Sequence, residues 1–581
     1  MRKLLAVAVL ILSLGLMVPA AWAQAPAPKV SIVGLFDQVT SMNRNVGENN
    51  YSRTSDRDWV ARTRFRPDFQ FAVGRTKAVL GLEIDVCYGQ AGQGDGSWGG
   101  QSQGVVAANT SHNGNAFCAG SGDINTDIAG IIEIKWMYTE FDLTGKDSLM
   151  PFIPVGTVAR AGLQPFASLG NYKVVYANGD FAGLSMVSTF APNLKTNVTF
   201  VQVEEAAQTN NRGGTAATGL TNPQGKLTRG DDFALIFSVD WTLMKGLDFK
   251  PMYSFFFGQG LTSTSSRRSA VNVMTSSGTA VAGTQGTTGL QGGAGNIAAA
   301  PALGSGNPAG NTDFHENRHT IGFDARWRYG AFSLDPTLLY QWGSFDTMTK
   351  NNTNGRIEKI NGDINAWLLD IQAGYQMGPL LLEARYIYST GNKARDNIAR
   401  NQRYFTPLDM DSSYYAGWAS IIALGVDYFQ GGSASGMGLS QFVGYDRYGR
   451  NSFGVRGTYA LTPALSFYTV VSPTWSAQEV DTKTGVAGSS RTYVSDRSFT
   501  NGNSAYIGTD WTVGMTWRFA PNAAFDLSGA MLFTGDALDT TECGLVNAVV
   551  AAQAGSCPIA QTVHRRSQDA YTAAARVRLS F

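Results

Sequence analysis

The amino-acid sequence predicts an all-β chain that closes into a single transmembrane antiparallel β-barrel of about 18 strands, within a range of about 16 to 20. Three observations support this fold class. Apolar and polar residues alternate with a period of two, short and long connections follow one another, and aromatic residues lie at segment ends. Charged residues make up only 15% of the 581 residues, whereas soluble proteins carry about 25%, so we expect much of the surface to face lipid.

The alternation is clearest in Thr509–Phe519, where apolar residues occupy one face and polar residues, among them Asp510 and Arg518, occupy the other. The same pattern recurs in Phe233–Trp241, Ala78–Val86 and Ile132–Tyr138. Because successive side chains of a strand point to opposite sides of the sheet, each segment is expected to turn its apolar face to the lipid. In the last segment this face would include Trp136 and Tyr138.

About nineteen segments have a strand-like pattern. They lie at roughly 30–39, 58–69, 76–87, 128–141, 156–164, 181–190, 195–203, 232–242, 247–257, 316–328, 331–342, 365–376, 380–389, 418–429, 450–460, 465–474, 506–519, 524–533 and 570–581. Bacterial single-chain barrels have an even number of strands. The weakest segment, 418–429, is therefore assigned to a long connection, which leaves about eighteen; pairing it with a poor strand near 438–445 would give about twenty.

The connections between these segments differ in length. The short ones are 191–194, 243–246, 377–379 and 461–464, and the long ones are roughly 88–127, 204–231, 258–314, 343–364, 476–505 and 535–568. Outer-membrane barrels have short periplasmic turns and longer extracellular loops. The sequence therefore predicts which end of the barrel faces the periplasm.

The N-terminus has the pattern of a secretory signal peptide. Arg2 and Lys3 precede an apolar run from Leu4 to Val18, and small residues follow at a cleavage site. Residues 1–23 are expected to be removed and residues 24–581 to form the barrel. An even number of cysteines in an exported chain favours disulfides, although four free thiols are the alternative. The simplest pairs are Cys87 with Cys118 and Cys543 with Cys557.

The last strand, Ala570–Phe581, places Tyr571 and Phe581 on its outward face. It resembles the C-terminal signal by which outer-membrane barrels are recognised for assembly. Together with the signal peptide, it makes the chain resemble the Gram-negative outer-membrane porins, which include a substrate-selective type.

A second segment carries this resemblance further. Arg160–Phe166, followed by Asp180–Met186, is similar to the GRQ-type segment of some substrate-selective porins, while their PEFGG-like acidic motif is absent. The resemblance implies that Arg160 and Gln164 face the lumen and that the connection after them can fold into it.

The resemblance also implies a place in the bacterial outer membrane, contact with its lipid and lipopolysaccharide, and insertion by the barrel-assembly machinery. Porins of this kind occur as homotrimers and as monomers, so the oligomeric state stays open. The formal net charge is +1, which provides no polybasic surface, and no nucleic acid partner is expected.

Two sets of arginines are expected to face the lumen, on strands that lie one strand apart once the barrel closes. They are Arg62, Arg64 and Arg66 in the first set and Arg576 and Arg578 in the second. Guanidinium groups remain charged and contact carboxylates or phosphates, so they would guide anionic solutes. Alternatively, they pair with inward acids along the wall, namely Glu83, Asp85, Glu133, Asp240, Asp324, Asp335, Asp370, Glu383, Asp510 and Asp526. The predicted channel-lining set consists of the arginines with Arg160, Gln164, Glu83, Glu133 and Asp180.

These features predict a porin, a water-filled channel for passive diffusion of small hydrophilic solutes, with anions as the candidate class. The alternatives are a sheath around a partner multihaem cytochrome in an electron-transfer conduit, and a structural surface or adhesin barrel. No enzyme motif or haem-attachment motif occurs, so neither catalysis nor a cofactor is expected.

One motif could bind a metal ion. Asp123, Asn125 and Asp127 have the alternate spacing of calcium ligands, although Asx-turn chemistry explains it equally well. No other metal site is expected.

Overall fold

The structure of the protein is a computed structural model. It describes residues 27–45, 57–88, 131–166, 175–177, 180–205, 231–259, 297–299, 315–351, 357–393, 401–408, 418–422, 448–480, 503–543 and 562–581. The strands within these residues are β1 Lys29–Arg44, β2 Arg57–Val73, β3 Thr76–Tyr88, β4 Ile131–Thr144, β5 Gly156–Pro165, β6 Asp180–Ala191, β7 Leu194–Glu205, β8 Asp231–Met244, β9 Leu247–Gln259, β10 Ile297–Ala299, β11 His315–Tyr329, β12 Phe332–Asn351, β13 Ile357–Met377, β14 Leu380–Ser389, β15 Asn401–Gln402, β16 Arg450–Ala460, β17 Leu465–Val480, β18 Ser504–Ala520, β19 Ala523–Thr534, β20 Thr540–Cys543, β21 Thr562–Arg565 and β22 Ala570–Ser580.

In the described part of the chain, 18 of these strands close into one antiparallel transmembrane barrel. Each pairs with its neighbours along the chain, and β1 pairs with β2 on one side and with β22 on the other. The predicted number of strands is therefore confirmed, and residues 418–422 of the weakest segment are not a strand. The four remaining strands are short: β10 and β15 attach to β12 and β13, and β20 pairs with β21.

The two ends of the barrel differ as predicted. Tight turns join β2 to β3, β6 to β7, β8 to β9, β11 to β12 and β13 to β14 at one end. Gly330 and Gly378 have φ angles of 56° and 54° in two of these turns. Only glycine adopts this left-handed conformation without strain, so glycine permits the tight reversal. Phe581 lies at the same end, where it exchanges backbone hydrogen bonds with Gly34.

The prediction of a long loop over residues 343–364 is wrong. β12 and β13 continue through most of this range and pair as far as Lys350 with Ile357. The outward positions of this extension are mostly polar, as at Ser344, Asn361 and Asp363. Beyond the hydrocarbon layer a strand needs no apolar face, whereas its backbone groups still require partners. The alternation therefore stops before the strand does.

The outer surface of the barrel is apolar. Trp511, Val513 and Leu235 lie about half exposed on it, as predicted from the alternation, and Asp510 on the opposite face is fully buried. Exposed aromatic side chains gather near the short turns, at Trp241, Trp327, Trp517 and Phe519. Lipid accepts such a surface, because all backbone groups are paired within the closed barrel.

No helix in the described ranges is long and apolar enough to cross a membrane.

The prediction that Trp136 and Tyr138 face the lipid is wrong. The pairing of β3 with β4 shifts register beside Gly81, which leaves Lys135 as an extra residue. Such a bulge moves the side chains that follow to the opposite face. Trp136 therefore lies inside the barrel, where its Nε1 donates a hydrogen bond to Asp68 over 2.9 Å. A Cβ on Gly81 would lie 1.8 Å from the same nitrogen, so glycine provides the space for the indole.

Several predictions fall outside the described residues. These are the signal peptide, the calcium candidate Asp123, Asn125 and Asp127, and two of the four cysteines, Cys118 and Cys557. The proposed disulfides therefore stay predictions, as does the division of the chain at residue 23.

Candidate functional site

Glu83 is the centre of a charged cluster on the inner wall of β2, β3 and β4. Its Oε1 lies 3.0 Å from Arg64 Nη2 and its Oε2 lies 2.7 Å from Arg66 Nε. Lys135, the bulge residue, places its Nζ 3.1 Å from Glu83 Oε2 and 3.2 Å from Asp180 Oδ2. The structure thus brings together four of the residues predicted from the sequence, and it adds Lys135.

The terminal strand contributes two further ion pairs. Arg576 binds Asp37 with two nitrogens, Nε at 2.8 Å from Oδ1 and Nη2 at 2.7 Å from Oδ2. Arg578 Nε lies 2.9 Å from Asp526 Oδ2. By register, Asp37 of β1 stands between Arg64 and Arg578. The two arginine sets therefore flank β1 as predicted, and the described arginines of both sets have carboxylate partners.

The remaining predicted residues have different surroundings. Arg160 Nη2 lies 2.6 Å from Glu140 Oε2, and its guanidinium stacks on Tyr138. Gln164 is fully buried: its Oε1 accepts a hydrogen bond from Ser185 Oγ over 2.6 Å. Gln164 therefore joins β5 to β6 and does not meet the water of the lumen.

The backbones of Arg62 and Glu133 belong to β2 and β4, and their side chains are outside the described part of the structure. Tyr571 and Phe581 face outward, and the Phe581 ring lies 6.0 Å from that of Phe65.

Ion pairs of the same kind continue around the wall. Lys250 binds Asp240, Arg385 binds Asp370 and Arg456 binds Glu383, each over 2.7 Å. The sequence identified the inward acids of these pairs and missed the bases. The missed bases occupy inward positions of the neighbouring strands, so the period-two pattern applied to every strand would have found them.

Within each of several pairs, the base is more exposed than the acid. The exposed side-chain fractions are 37% for Arg578 and 6% for Asp526, and 29% for Arg456 and 8% for Glu383. Arg66, at 19%, also exceeds Glu83, at 10%. The carboxylates therefore lie against the wall, while the guanidinium groups reach toward the water.

Four described pairs have the reverse order. In one of them, Arg403 with Asp363, the acid occupies an outward position of β13. Arg64 is buried, but it shares Glu83 with the exposed Arg66. In the other two, Lys250 with Asp240 and Arg318 with Glu316, the base is the more buried partner. Both pairs lie on β8, β9 and β11, in the part of the barrel whose inner wall is mainly apolar.

The inner wall is apolar on one side of the barrel, in contrast to the charged side. Its fully buried side chains are Val201, Ala234, Ile236, Met252, Phe256, Leu339, Ala366 and Leu368. Apolar residues facing a water-filled lumen would be unfavourable unless covered. These strands carry apolar residues on both faces, for example Leu235 on the outer face and Ile236 on the inner face. This feature of the sequence could have indicated that other residues of the chain pack on the inner face.

Two connections supply the cover. The β5–β6 segment, defined as Phe166 and Val175–Ala177, packs on this wall, and Tyr176 Oη lies 2.8 Å from Ser254 Oγ. The described residues of the connection after β5 therefore lie inside the barrel. Residues 401–408 of the connection from β14 to β16 pack beside it through Phe405 and Leu408.

The described residues of the inward segments contact a defined part of the wall. Their hydrogen bonds and apolar contacts join them to β6, β7, β8, β9, β12 and β13, and to β16, β18, β19 and β22. The clusters around Glu83 and Arg160 lie on β2 to β6.

The described residues contain no group of three or more histidine, cysteine or acidic side chains that could hold a metal ion.

The sequence matches no protein-family model and no curated protein. In solved structures, the chain is similar to outer-membrane porins of Pseudomonas. A BenF-like porin from Pseudomonas fluorescens Pf-5 aligns with a TM-score of 0.43 and 8% identity over 95% of this chain and 99% of the porin. OprD from Pseudomonas aeruginosa aligns with a TM-score of 0.40 and 10% identity over 97% and 96%. OccK10 (OpdN) from the same species aligns with a TM-score of 0.40 and 12% identity over 95% and 99%.

Proposed function

We propose that the protein is an outer-membrane porin that lets small hydrophilic solutes diffuse passively, with a preference for anions. A closed barrel of 18 strands is wide enough to enclose an aqueous channel. Its inner wall along β1 to β4 carries charged side chains that pair with one another, and of these Arg66 and Lys135 stay partly exposed. No reaction and no cofactor enters this proposal.

One observation supports the anion preference above all: in most of the described ion pairs, among them Arg66 with Glu83 and Arg578 with Asp526, the base is more exposed than the acid. Each pair is neutral as a whole. A passing solute, however, is closer to the guanidinium than to the carboxylate behind it, and the Coulomb energy falls with distance. Arg66 and Arg578 would therefore attract carboxylates or phosphates although the wall contains nearly equal numbers of both charges.

The inward segments favour a channel over a sheath. A barrel that encloses a multihaem cytochrome needs an open lumen, whereas here the β5–β6 segment and residues 401–408 occupy part of it. Passage of small solutes requires only the part that stays free.

Single-channel recording of the purified protein in planar bilayers tests the proposal. We expect stepwise conductance and, in a KCl gradient, a reversal potential of the sign that shows chloride to be more permeant than potassium. Protein that inserts but neither conducts nor permits swelling of liposomes would overturn the porin function. A reversal potential of the opposite sign would overturn only the anion preference.

Substitution of one exposed base sharpens this test. Arg66→Gln removes a charge while Glu83 keeps Arg64 and Lys135 as partners, so the wall stays paired. One charge acting at about 10 Å through water contributes about 0.4 kcal/mol, which corresponds to a factor of about two in the permeability ratio. The anion preference should fall by about this factor.

Arg75→Gln is the matched control, because it removes the same charge at a turn, where Arg75 pairs with Asp142. Its reversal potential should equal that of the wild type. Equal effects of the two substitutions would show that Arg66 has no special role.

A further inference from the structure

We infer that a groove on the outer face of β18, β19, β22 and β1 binds a phosphorylated lipid of the extracellular leaflet, with the phosphate on Arg44 and one acyl chain in the groove. The groove crosses the seam at which β22 and β1 close the barrel, on the lipid side of the wall. The inference is therefore independent of the proposed porin function.

The floor of the groove is low because its central residues are small. By register, Val513, Gly529, Ala573 and Met42 follow one another across the four strands at one height. Val513 and Met42 at the two edges are 45% and 61% exposed and stand above the floor. The groove has a volume of about 640 Å³, and ligand sites usually have volumes of about 300 to 1,000 Å³.

The upper edge of the groove lies at the boundary between acyl chains and headgroups. The next row toward the extracellular end consists of Trp511, Met531, Tyr571 and Arg44. Tyr571 is about ten residues from the periplasmic end of its strand, which is about 25 Å along the barrel axis at about 3.3 Å per residue and a tilt of about 40°. The apolar band of such barrels is about 25 Å tall, and tryptophan and tyrosine are enriched at its edges.

Arg44 supplies a positive charge at this boundary. It occupies an outward position at the extracellular end of β1 and is exposed. Of the residues that line the groove, Arg44 alone is charged. A guanidinium group can bind a phosphate through two parallel hydrogen bonds. Charge and shape therefore fit one molecule, a lipid whose phosphate contacts Arg44 and whose acyl chain lies in the apolar groove below.

The low surface continues toward the middle of the membrane. Below Ala573, the outward position of β22 is Ala575, and Thr40 of β1 is paired with it. Small side chains in this direction leave space for a flexible acyl chain. The convex face of a second barrel would enter the same space only with single side chains, so a lipid fits the groove better than a second copy of the protein.

Native mass spectrometry of the full-length protein in an uncharged detergent, titrated with diphosphoryl lipid A, tests the inference. Arg44→Gln should weaken the binding of the first lipid by about tenfold, because the phosphate loses its charged hydrogen bonds. Arg75→Gln is the matched control, since it removes the same charge from a turn at the opposite end of the barrel, where Arg75 pairs with Asp142. Its affinity should equal that of the wild type.

Gly529→Leu tests the groove itself. A Cβ at Gly529 would meet one atom within 4 Å, the carbonyl oxygen of Thr572 at 3.9 Å, so a leucine there can fill the groove without displacing the wall. The affinity for lipid A should fall by at least about tenfold, because the acyl chain loses its apolar contacts. Gly457→Leu is the matched control: it makes the same substitution at an outward position of β16, paired with Leu382 and outside the groove.

Two further titrations separate the parts of the ligand. An uncharged diacylglycerol should bind about tenfold more weakly than lipid A, and inorganic phosphate should not displace lipid A. Displacement by inorganic phosphate would overturn the inference, because the acyl chain would then contribute nothing.

The variants decide the remaining outcomes. If Arg44→Gln and Gly529→Leu bind lipid A as tightly as their controls, the inference fails. It also fails if the wild type forms a dimer that Gly529→Leu abolishes while lipid binding stays unchanged, because a second copy then occupies the groove. Should Gly529→Leu not assemble, Ala573→Leu fills the same groove from β22, and an unchanged affinity of that variant would overturn the inference.

Discussion

Asp37 shows what a single residue contributes to this wall. It is almost fully buried, accepts a hydrogen bond from Arg576 Nε at Oδ1, and has Arg576 Nη2 2.7 Å from its Oδ2 as an ion pair. A hydrogen bond between charged groups is stronger than one between neutral groups. Asp37 also lies on β1, between β2 and β22, where the barrel closes. Its pair therefore contributes to the closing seam as well as to the lining of the lumen.

We expect Asp37→Ala to destabilise the barrel by about 3 kcal/mol, because the substitution leaves a largely buried guanidinium without its partner. Asp142→Ala is the control, since its partner Arg75 is more than half exposed and such pairs contribute less than about 1 kcal/mol. Urea unfolding of the two variants in lipid vesicles measures the difference. Equal losses would indicate that the Asp37 pair is no stronger than a surface pair.

At the scale of elements, the sequence predicted those features that depend on one strand alone. The alternation in β18 and β22 identified which side chains face lipid, and the inward positions of Arg576 and Arg578 followed from it. The bulge at Lys135 could not be predicted, because it depends on how β4 pairs with β3 and on the space above Gly81. The hydrogen bond of Gln341 was missed for a similar reason: its partner is the backbone of Thr406, 65 positions along the chain.

The terminal strand supports one prediction at this scale. Phe581→Ala should lower the amount of folded protein in the outer membrane, because the strand loses both its terminal aromatic, the feature that resembles an assembly signal, and the ring contact with Phe65. Phe519→Ala is a matched control, since Phe519 is also an exposed outward phenylalanine near the short turns. Heat-modifiable mobility of the membrane fraction reports the folded form, and equal losses in both variants would exclude a specific role for the C-terminus.

For the whole molecule, the nearly balanced charge of the lumen determines how selectivity responds to salt. The electrostatic field of the more exposed bases acts through water, where the Debye length is about 10 Å at 0.1 M salt and about 3 Å at 1 M. The field of Arg66 and Arg578 therefore reaches across the passage only at low salt.

The anion-to-cation permeability ratio should consequently fall toward that of free solution as KCl rises from about 0.1 M to about 1 M. Reversal potentials at a fixed concentration ratio and increasing mean concentration measure this. A ratio that does not change with salt would mean that the bases bind anions directly instead of attracting them from a distance.

The segments bonded to the inner face of the barrel have a mechanical consequence. A hollow cylinder made of a single sheet flattens easily under a sideways load, because bending the sheet changes few contacts. Residues 401–408, bonded to β12, and residues 418–422, bonded to β18, add a second layer at these two places, and a sheet with a second layer bends less easily. The opening should therefore keep its shape when the lateral pressure of the surrounding bilayer changes, and the flow of solute would depend little on the lipid in which the protein resides.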